Sequence, residues 1–519
     1  MLESLPDEIN DGVWLLCEET SWCLPAHQPG ALPDPARPVV DLFAAETAAL
    51  LAYVDHLAGN SLDPLVRRRL RDRVSSRVIR PFLERDDWWW LGLGDRRRRP
   101  LNNWTPWILS NLLVSSLLLD LDPLPVFSRA VAALDRYLAG QPDDGGCDEG
   151  IHYWWRAGAS VFECLETLSL ACGSDFGAFA EPKLRAMARY PLTAQISRDW
   201  VVNFADGHAR PSHEWEPQLL YRFGRAVGDE EVVAHALALR SPVSLSWSLG
   251  RMVSALSDPS WRAAPGRELP LPARTWLPDT GVLTVRSRGG SSSGLFLAAK
   301  AGHNDESHNH NDVGSFIVAL DGVPLIIDLG TEVYTGKTFG PDRYDLWTTR
   351  SSWHNVPSVD GVEQSAGRAF AARSVSASET SLSMDLAGAY PPEAGIESWH
   401  RAVELSRPDG EITVSDSWRL RHPASLVESV LVLSRPPDLT FSDRLDVSGL
   451  VISWDPGALR ADVTERRIDD PQLRRSWGDA VYRVALSVSS PGLTGSINLR
   501  IGVRGPKKGS DGTSSPLYG

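Results

Sequence analysis

His303-Asn304-Asp305-Glu306-Ser307-His308-Asn309-His310-Asn311-Asp312-Val313-Gly314-Ser315-Phe316 is the stretch on which the reading of this chain turns. It holds three of the twelve histidines, and a fourth follows in Ser352-Trp353-His354-Asn355. Between them lies Asp328, inside the apolar run Pro324-Leu325-Ile326-Ile327-Asp328-Leu329-Gly330. An acid in a run that reads as a buried strand needs a partner. Histidine and aspartate are metal ligands and proton-transfer groups. The pattern predicts a metal site with a histidine beside it free for chemistry. With period-two side chains on a strand, His308 and His310 would point to the same side.

Downstream of this stretch the chain reads as short strands. Residues 281–287, 294–300, 315–320 and 323–328 are candidates, with Asp321-Gly322 as a hairpin turn. A second hairpin turns at Asp409-Gly410, and further strands are expected at Val427–Leu433, Leu450–Trp454, Val481–Val488 and Ser496–Val503. Many short antiparallel strands in succession predict a β-sandwich. Upstream, apolar residues recur at three and four. Helices are expected near 41–57, 62–83, 106–120, 125–139, 157–171, 177–189, 214–227 and 229–239. In the first of these Phe43, Thr47, Leu50, Leu51 and Val54 are expected near one face. Helices with short connections predict hairpins arranged as a bundle, solenoid or toroid.

A chain of 519 residues is too long for one ordinary core, so two or more domains are expected. The net charge of −14 argues against nucleic acid or an anionic membrane surface as a partner, while a local arginine cluster leaves an anionic substrate open. Five cysteines make neither a disulfide framework nor a zinc-knuckle spacing. With no visible secretory signal and no bilayer-spanning run, the simplest expectation is a cytoplasmic protein. A homo-oligomer is left open. Twenty tryptophans are more than a core needs; their flat apolar faces suit helix packing and also suit sugars.

Three further stretches break the helical pattern: Leu101-Asn102-Asn103-Trp104-Thr105-Pro106-Trp107, Gly145-Gly146-Cys147-Asp148-Glu149-Gly150-Ile151-His152-Tyr153-Trp154, and Val202-Asn203-Phe204-Ala205-Asp206-Gly207. Loops of this composition on rigid elements are where sites usually lie. His27, Glu18-Glu19 and His303 to Glu306 are further candidates for a cleft edge. The run Asp95-Arg96-Arg97-Arg98-Arg99-Pro100 reads as a solvated face.

From His308-Asn309-His310-Asn311-Asp312 through Ile327-Asp328-Leu329-Gly330 to His354-Asn355-Val356 and Asp360-Gly361, the chain resembles the heparinase II/III-like polysaccharide lyases. The resemblance implies a multidomain α and β protein. Residues 1–270 would form an incomplete (α/α) toroid and 271–505 an antiparallel β-sandwich, followed by a disordered tail, 506–519. It implies a structural zinc ion on His310, Asp328 and His354, two imidazoles and a carboxylate suited to that metal. It implies catalytic roles for Tyr153, His308, Asn102 and Asn103, with Tyr153 as proton donor and also a candidate base, and His308 as base or base partner. Relatives carry a histidine at the asparagine pair, and this chain does not. Trp104, Glu149, Asn203, Asp206, Arg343, Tyr344 and Arg350 are the implied substrate-binding residues, the arginines because a guanidinium grips a carboxylate bidentately.

The implied reaction is β-elimination at a uronic acid in an acidic polysaccharide or oligosaccharide, leaving an unsaturated uronate. Two other readings stand beside it. One is a glycoside hydrolase using two carboxylates among Asp148, Glu149, Asp206 and Asp305. The other is a non-catalytic carbohydrate-binding protein.

Overall fold

The computed structural model of the protein describes residues 5–93, 100–211, 215–241, 248–488 and 490–504. The expected tail, 506–519, and the arginine run Arg96–Arg99 lie outside the described residues.

The N-terminal half is helical from Leu5–Glu18 to Pro259–Ala263. Its centre is the helix Trp104–Leu119, in which Ile108, Leu109, Leu112, Leu113 and Leu119 are all buried. A helix apolar on all sides must be covered on all sides. Leu42–Ala58, Pro123–Gly140 and Gly158–Cys172 pack around it. Leu42–Ala58 approaches through small residues. Ala44, Ala45, Ala48 and Ala52 are buried with Thr47 and Leu51, whereas Phe43 and Leu50 are exposed. The expected face is therefore rotated toward the alanines, which let two helices come close. Asp41 caps this helix, accepting from the Ala44 N–H at 2.8 Å. Its other oxygen lies 2.7 Å from His27 Nδ1, and His27 in turn borders the cleft described below. Among the described residues no helix is long and apolar enough to cross a membrane.

A short pair of strands, Gln195–Ser197 and Trp200–Val201, interrupts the helices, and the main run of strands extends from Arg274–Leu277 to Thr494–Val503. They form a nine-stranded and a seven-stranded antiparallel sheet, with two small two-stranded pairs. Asp321 and Gly322 both have positive φ (49° and 79°) and turn the hairpin between Phe316–Leu320 and Val323–Ile326, as the Asp-Gly pair predicts.

The nine-stranded sheet is the middle layer of the molecule. In Leu295–Lys300, Leu295, Leu297 and Ala299 face the core shared with the seven-stranded sheet. Phe296 and Ala298, with Ile317 and Ala319 of the next strand, join the core of the helices. Both faces are covered, so these strands read as continuous apolar runs instead of alternating ones. Between the sheets, Arg401 and Asp416 form a fully buried pair at 2.7 Å. Arg401 also donates to the carbonyls of Gly314 (2.9 Å) and Asn355 (2.7 Å), which end the histidine stretch and follow His354. The sandwich core thus holds both loops that carry the site.

Candidate active site

A cleft of about 2220 Å³ lies between the helical half and loops of the β half, with His303 and Arg368 of the small two-stranded pair at its edge. His308 reaches it from the β side and Tyr153 from the helical side. The local backbone explains both positions. Gly150 has φ +93°, and a Cβ there would meet the Phe204 carbonyl at 2.7 Å, so only glycine starts the short helix Ile151–Trp154 that carries Tyr153. His308 itself has φ +59° in a loop. Before Phe316 the histidine stretch is a strand only at His303–Asn304. The expected pleat therefore does not align His308 with His310; a left-handed turn does, and a shared carboxylate joins them.

That carboxylate is Asp206. One oxygen lies 2.8 Å from His308 Nδ1, and the other is 3.0 Å from His310 Nε2 and 2.8 Å from Arg343 Nη2. Burial alone would raise its pKa; the hydrogen bonds from both histidines hold it well below the usual carboxylate range. Glu149 takes the other side of His308, at 3.1 Å from Nε2. Both ring nitrogens thus face carboxylate oxygens, an arrangement that only the doubly protonated ring can satisfy. Burial pulls the His308 pKa down, but its hydrogen bonds to Asp206 and Glu149 override that and push it up to about 9.

Tyr153 stacks on His308 with ring centroids 4.0 Å apart. Its hydroxyl is hydrogen-bonded to that of Tyr334, which donates to Asp206 at 3.2 Å. Burial, and then the nearby Asp206, keep both phenols protonated far above their ordinary range. Tyr334 was not singled out in the sequence. It lies in a loop after Asp328, in Glu332-Val333-Tyr334-Thr335, with no flanking pattern to mark it.

The asparagine pair divides. Asn103 is buried, and its backbone N–H and side-chain amide both donate to Glu149, at 2.9 and 2.8 Å. Asn102 lines the cleft; its side-chain oxygen accepts from the Trp104 N–H, leaving its amide as the donor available to a substrate oxygen. Trp104 also lines the cleft, as do His303, Asp305 and Glu306, whereas Asn304 is buried. Glu18 and Glu19 border a different, smaller cavity.

Arg343, Tyr344 and Arg350 lie away from the cleft lining. Arg343 is buried and spans Asp206, the Asn309 carbonyl and the Thr338 carbonyl. Tyr344 accepts from Asn309 at 2.9 Å, and Arg350 is exposed and forked onto Glu363. An arginine three-way bonded in the interior cannot also grip a sugar carboxylate, so Arg343 positions Asp206 instead. Asn203, buried, donates to the Asp328 carbonyl at 3.0 Å and ties the helical half to the Asp328 loop. Gly330 stands at the same junction with φ +71°; a Cβ there would meet the Gly207 carbonyl at 2.1 Å.

His310, Asp328 and His354 come together in full burial, with one ligand atom of each within 4.8 Å of the others. His354 Nδ1 lies 3.0 Å from Asp328, and Asp328 also accepts from the Gly330 N–H. His310 Nδ1 and His354 Nε2 are buried without a hydrogen-bond partner among the described residues. Orphaned buried imidazole nitrogens beside a carboxylate are what a metal site leaves when only its ligands are considered. With a metal on His310 Nδ1, Asp206 at Nε2 would supply the outer carboxylate that orients a ligating histidine. The residues fit a metal ion.

Residues 269–449 match the model of the family described as heparinase II/III-like, C-terminal. The whole fold matches solved lyases. The crystal structure of heparinase III aligns with a TM-score of 0.67 at 13% identity, covering 97% of this chain and 74% of that one. A heparan sulfate lyase HepC mutant from Pedobacter heparinus aligns at 0.64 and 12%, covering 90% and 68%. The Streptomyces coelicolor A3 chondroitin AC lyase in complex with chondroitin sulphate aligns at 0.58 and 10%, covering 97% and 71%. No curated protein matches the sequence. The fold is thus the α/α toroid followed by an antiparallel β-sandwich that these lyases share. Within it, residues 269–449 are similar to the heparinase II/III-like C-terminal domain.

Proposed function

We propose that the protein is a lyase that cleaves a uronic-acid-containing glycan by β-elimination. The observation that carries this reading is the group formed at the cleft by Tyr153, Tyr334 and His308, with Asp206 and Glu149 behind them. Elimination removes the proton on C5, which is α to the carboxylate, forms the C4–C5 double bond and breaks the bond from C4 to O4. It needs a proton acceptor, a proton donor to O4, and positive charge or donors at the carboxylate.

The two hydrogen-bonded phenols can supply both proton transfers. The hydroxyl that receives the C5 proton passes its own proton across their hydrogen bond to the other, which releases its own to O4, so both phenols begin and end each turnover neutral and no free phenolate is required. Tyr153 is the donor to O4 in this reading. His308, engaged at both nitrogens, acts as a fixed imidazolium beside the reacting group, a partner and not the base. The Asn102 amide is the donor for the substrate carboxylate. Asn103, Glu149, Asp206 and Arg343 position this group without reaching the sugar.

We assign zinc to His310, Asp328 and His354, on the match of donor types. Bound there, it would supply a fixed positive charge that holds the histidine stretch against the Asp328 loop. The test is release of an unsaturated uronate, read by near-ultraviolet absorbance, from uronate glycans incubated with the wild type and with Tyr153→Phe.

A further inference from the structure

Resting on the lyase reading of the cleft, we infer that Phe339 is a substrate-binding residue, the platform on which a pyranose ring of the glycan lies beside the two phenols. The Phe339 ring lines the cleft and is 68% exposed. A large apolar ring turned to water is unfavourable until something covers it. The ring meets Tyr334 at 5.0 Å and His308 at 5.6 Å, steeply inclined to both (73° and 86°). Tyr334, 39% exposed, lines the cleft as well. The two rings form one aromatic surface that ends at the reacting group.

An exposed ring on a loose loop would contribute little, because binding would have to order it. This one is held in advance. Thr338, the residue before it, is buried; its hydroxyl accepts from the Thr335 N–H at 2.9 Å, and its own N–H donates to the Thr335 carbonyl at 3.0 Å. Arg343 donates to the Thr338 carbonyl at 2.9 Å through its guanidinium and to the Gly340 carbonyl at 3.2 Å through its backbone N–H. The chain is thus fixed on both sides of Phe339. The same guanidinium lies 2.8 Å from Asp206, the carboxylate bonded to His308 and Tyr334. One side chain therefore sets the spacing between the aromatic platform and the groups that move protons.

A sugar ring is the ligand that suits this surface. Its C–H face can lie flat on a phenyl ring, while the hydroxyls on its rim need polar partners. Ser307 and Thr335 line the cleft with hydroxyls of their own. A carboxylate gains nothing from a phenyl face, so Phe339 holds a ring and not a charge. Such contact is made alike with bound substrate and with the transition state, so it lowers KM without raising kcat.

The test uses full-length Tyr153→Phe carrying Phe339→Ala, Phe339→Leu or Phe339→Tyr, with oligosaccharides of hyaluronan, chondroitin, glucuronan and alginate as probes. By calorimetry, Phe339→Ala should weaken binding of at least one probe by about tenfold or more, and Phe339→Leu should do the same, because it keeps bulk without a flat ring. Phe339→Tyr, which keeps the ring, should stay within about threefold of the parent. The loss should be equal at low and high salt, since stacking is not screened. Melting temperatures should not fall, because the ring is exposed. In the wild-type background, Phe339→Ala should raise KM by the same factor, with kcat changed less than about threefold. A smaller loss with alanine, a leucine that binds like the parent, a tyrosine that binds no better than alanine, a loss that disappears in high salt, a lowered melting temperature, or a kcat that falls more than KM rises would each overturn the inference. Failure of every probe to bind would overturn it too. If alanine weakens binding as expected and the wild type forms no unsaturated product, the platform stands and the lyase reading fails.

Discussion

Asp206 joins His308 to His310: its two carboxylate oxygens lie 2.8 Å from Nδ1 of the first and 3.0 Å from Nε2 of the second. One side chain of the helical half therefore links the group that faces the cleft to the group that fits a metal. The consequences of this link, and of the contacts around it, can each be measured.

Asp206→Asn keeps the shape but removes the charge that both histidines and Arg343 share. It leaves buried cations without their partner, a change that costs about 3–5 kcal/mol in comparable buried pairs. Thermal unfolding should report a large loss of stability, with turnover falling alongside. An unaltered melting temperature would show that this carboxylate is not the hub described above.

Tyr334→Phe removes the hydroxyl that bonds to both Tyr153 and Asp206. General acid–base groups typically contribute about 10²–10⁴-fold, so kcat should fall within that range with KM little changed. Stability should hold, because the ring remains. If kcat stays at the wild-type level, the two-phenol proton route is wrong and Tyr153 works without it.

Chelation should lower the melting temperature, and zinc should restore it, because two buried imidazoles and one carboxylate would lose the ion that compensates them. His354→Ala should abolish the chelator effect. Elemental measurement finding no stoichiometric metal in the purified protein would count against the assignment.

Asp148 lines the cleft and accepts from the Ser307 N–H at 3.1 Å. Burial, and then the neighbouring Glu149, raise its pKa from 3.8 to about 6. The folded state thus binds this proton more tightly than the unfolded chain, so stability from this group falls as pH rises through about 6. Asp148→Asn keeps the acceptor and never ionises. The variant should gain melting temperature relative to wild type between about pH 4 and pH 7, with the difference level above that. A pH-independent difference would refute the raised pKa.

Much of this was legible in the chain itself. Period and breakers located many of the helices and strands, though not Leu5–Glu18, Leu249–Ser257 or Leu459–Arg467, and Asp321-Gly322 announced its hairpin. The joint pattern of His310, Asp328 and His354 predicted a cluster that the fold does bring together. What escaped reading depended on three-dimensional company. Arg343 looks like a substrate clamp until its three interior acceptors are seen. Asn103 looks like a ligand donor until Glu149 takes both of its N–H groups. Tyr334 has no motif, and its place beside Tyr153 arises from a contact between residues 181 positions apart. His308 was expected on a strand; a positive φ in a loop carries it instead, and single-residue turns of that kind leave no periodic trace.

The central claim is that the Tyr153 phenol at this cleft performs β-elimination on a uronate. Its most direct test is a panel of uronate polysaccharides and oligosaccharides, incubated with wild type and with folded Tyr153→Phe and followed at the near-ultraviolet absorbance of the unsaturated product. The account predicts unsaturated product from at least one glycan with the wild type, and a loss of about 10²-fold or more with Tyr153→Phe. Cleavage that yields only saturated ends, or unsaturated product formed at the wild-type rate by Tyr153→Phe, would contradict it.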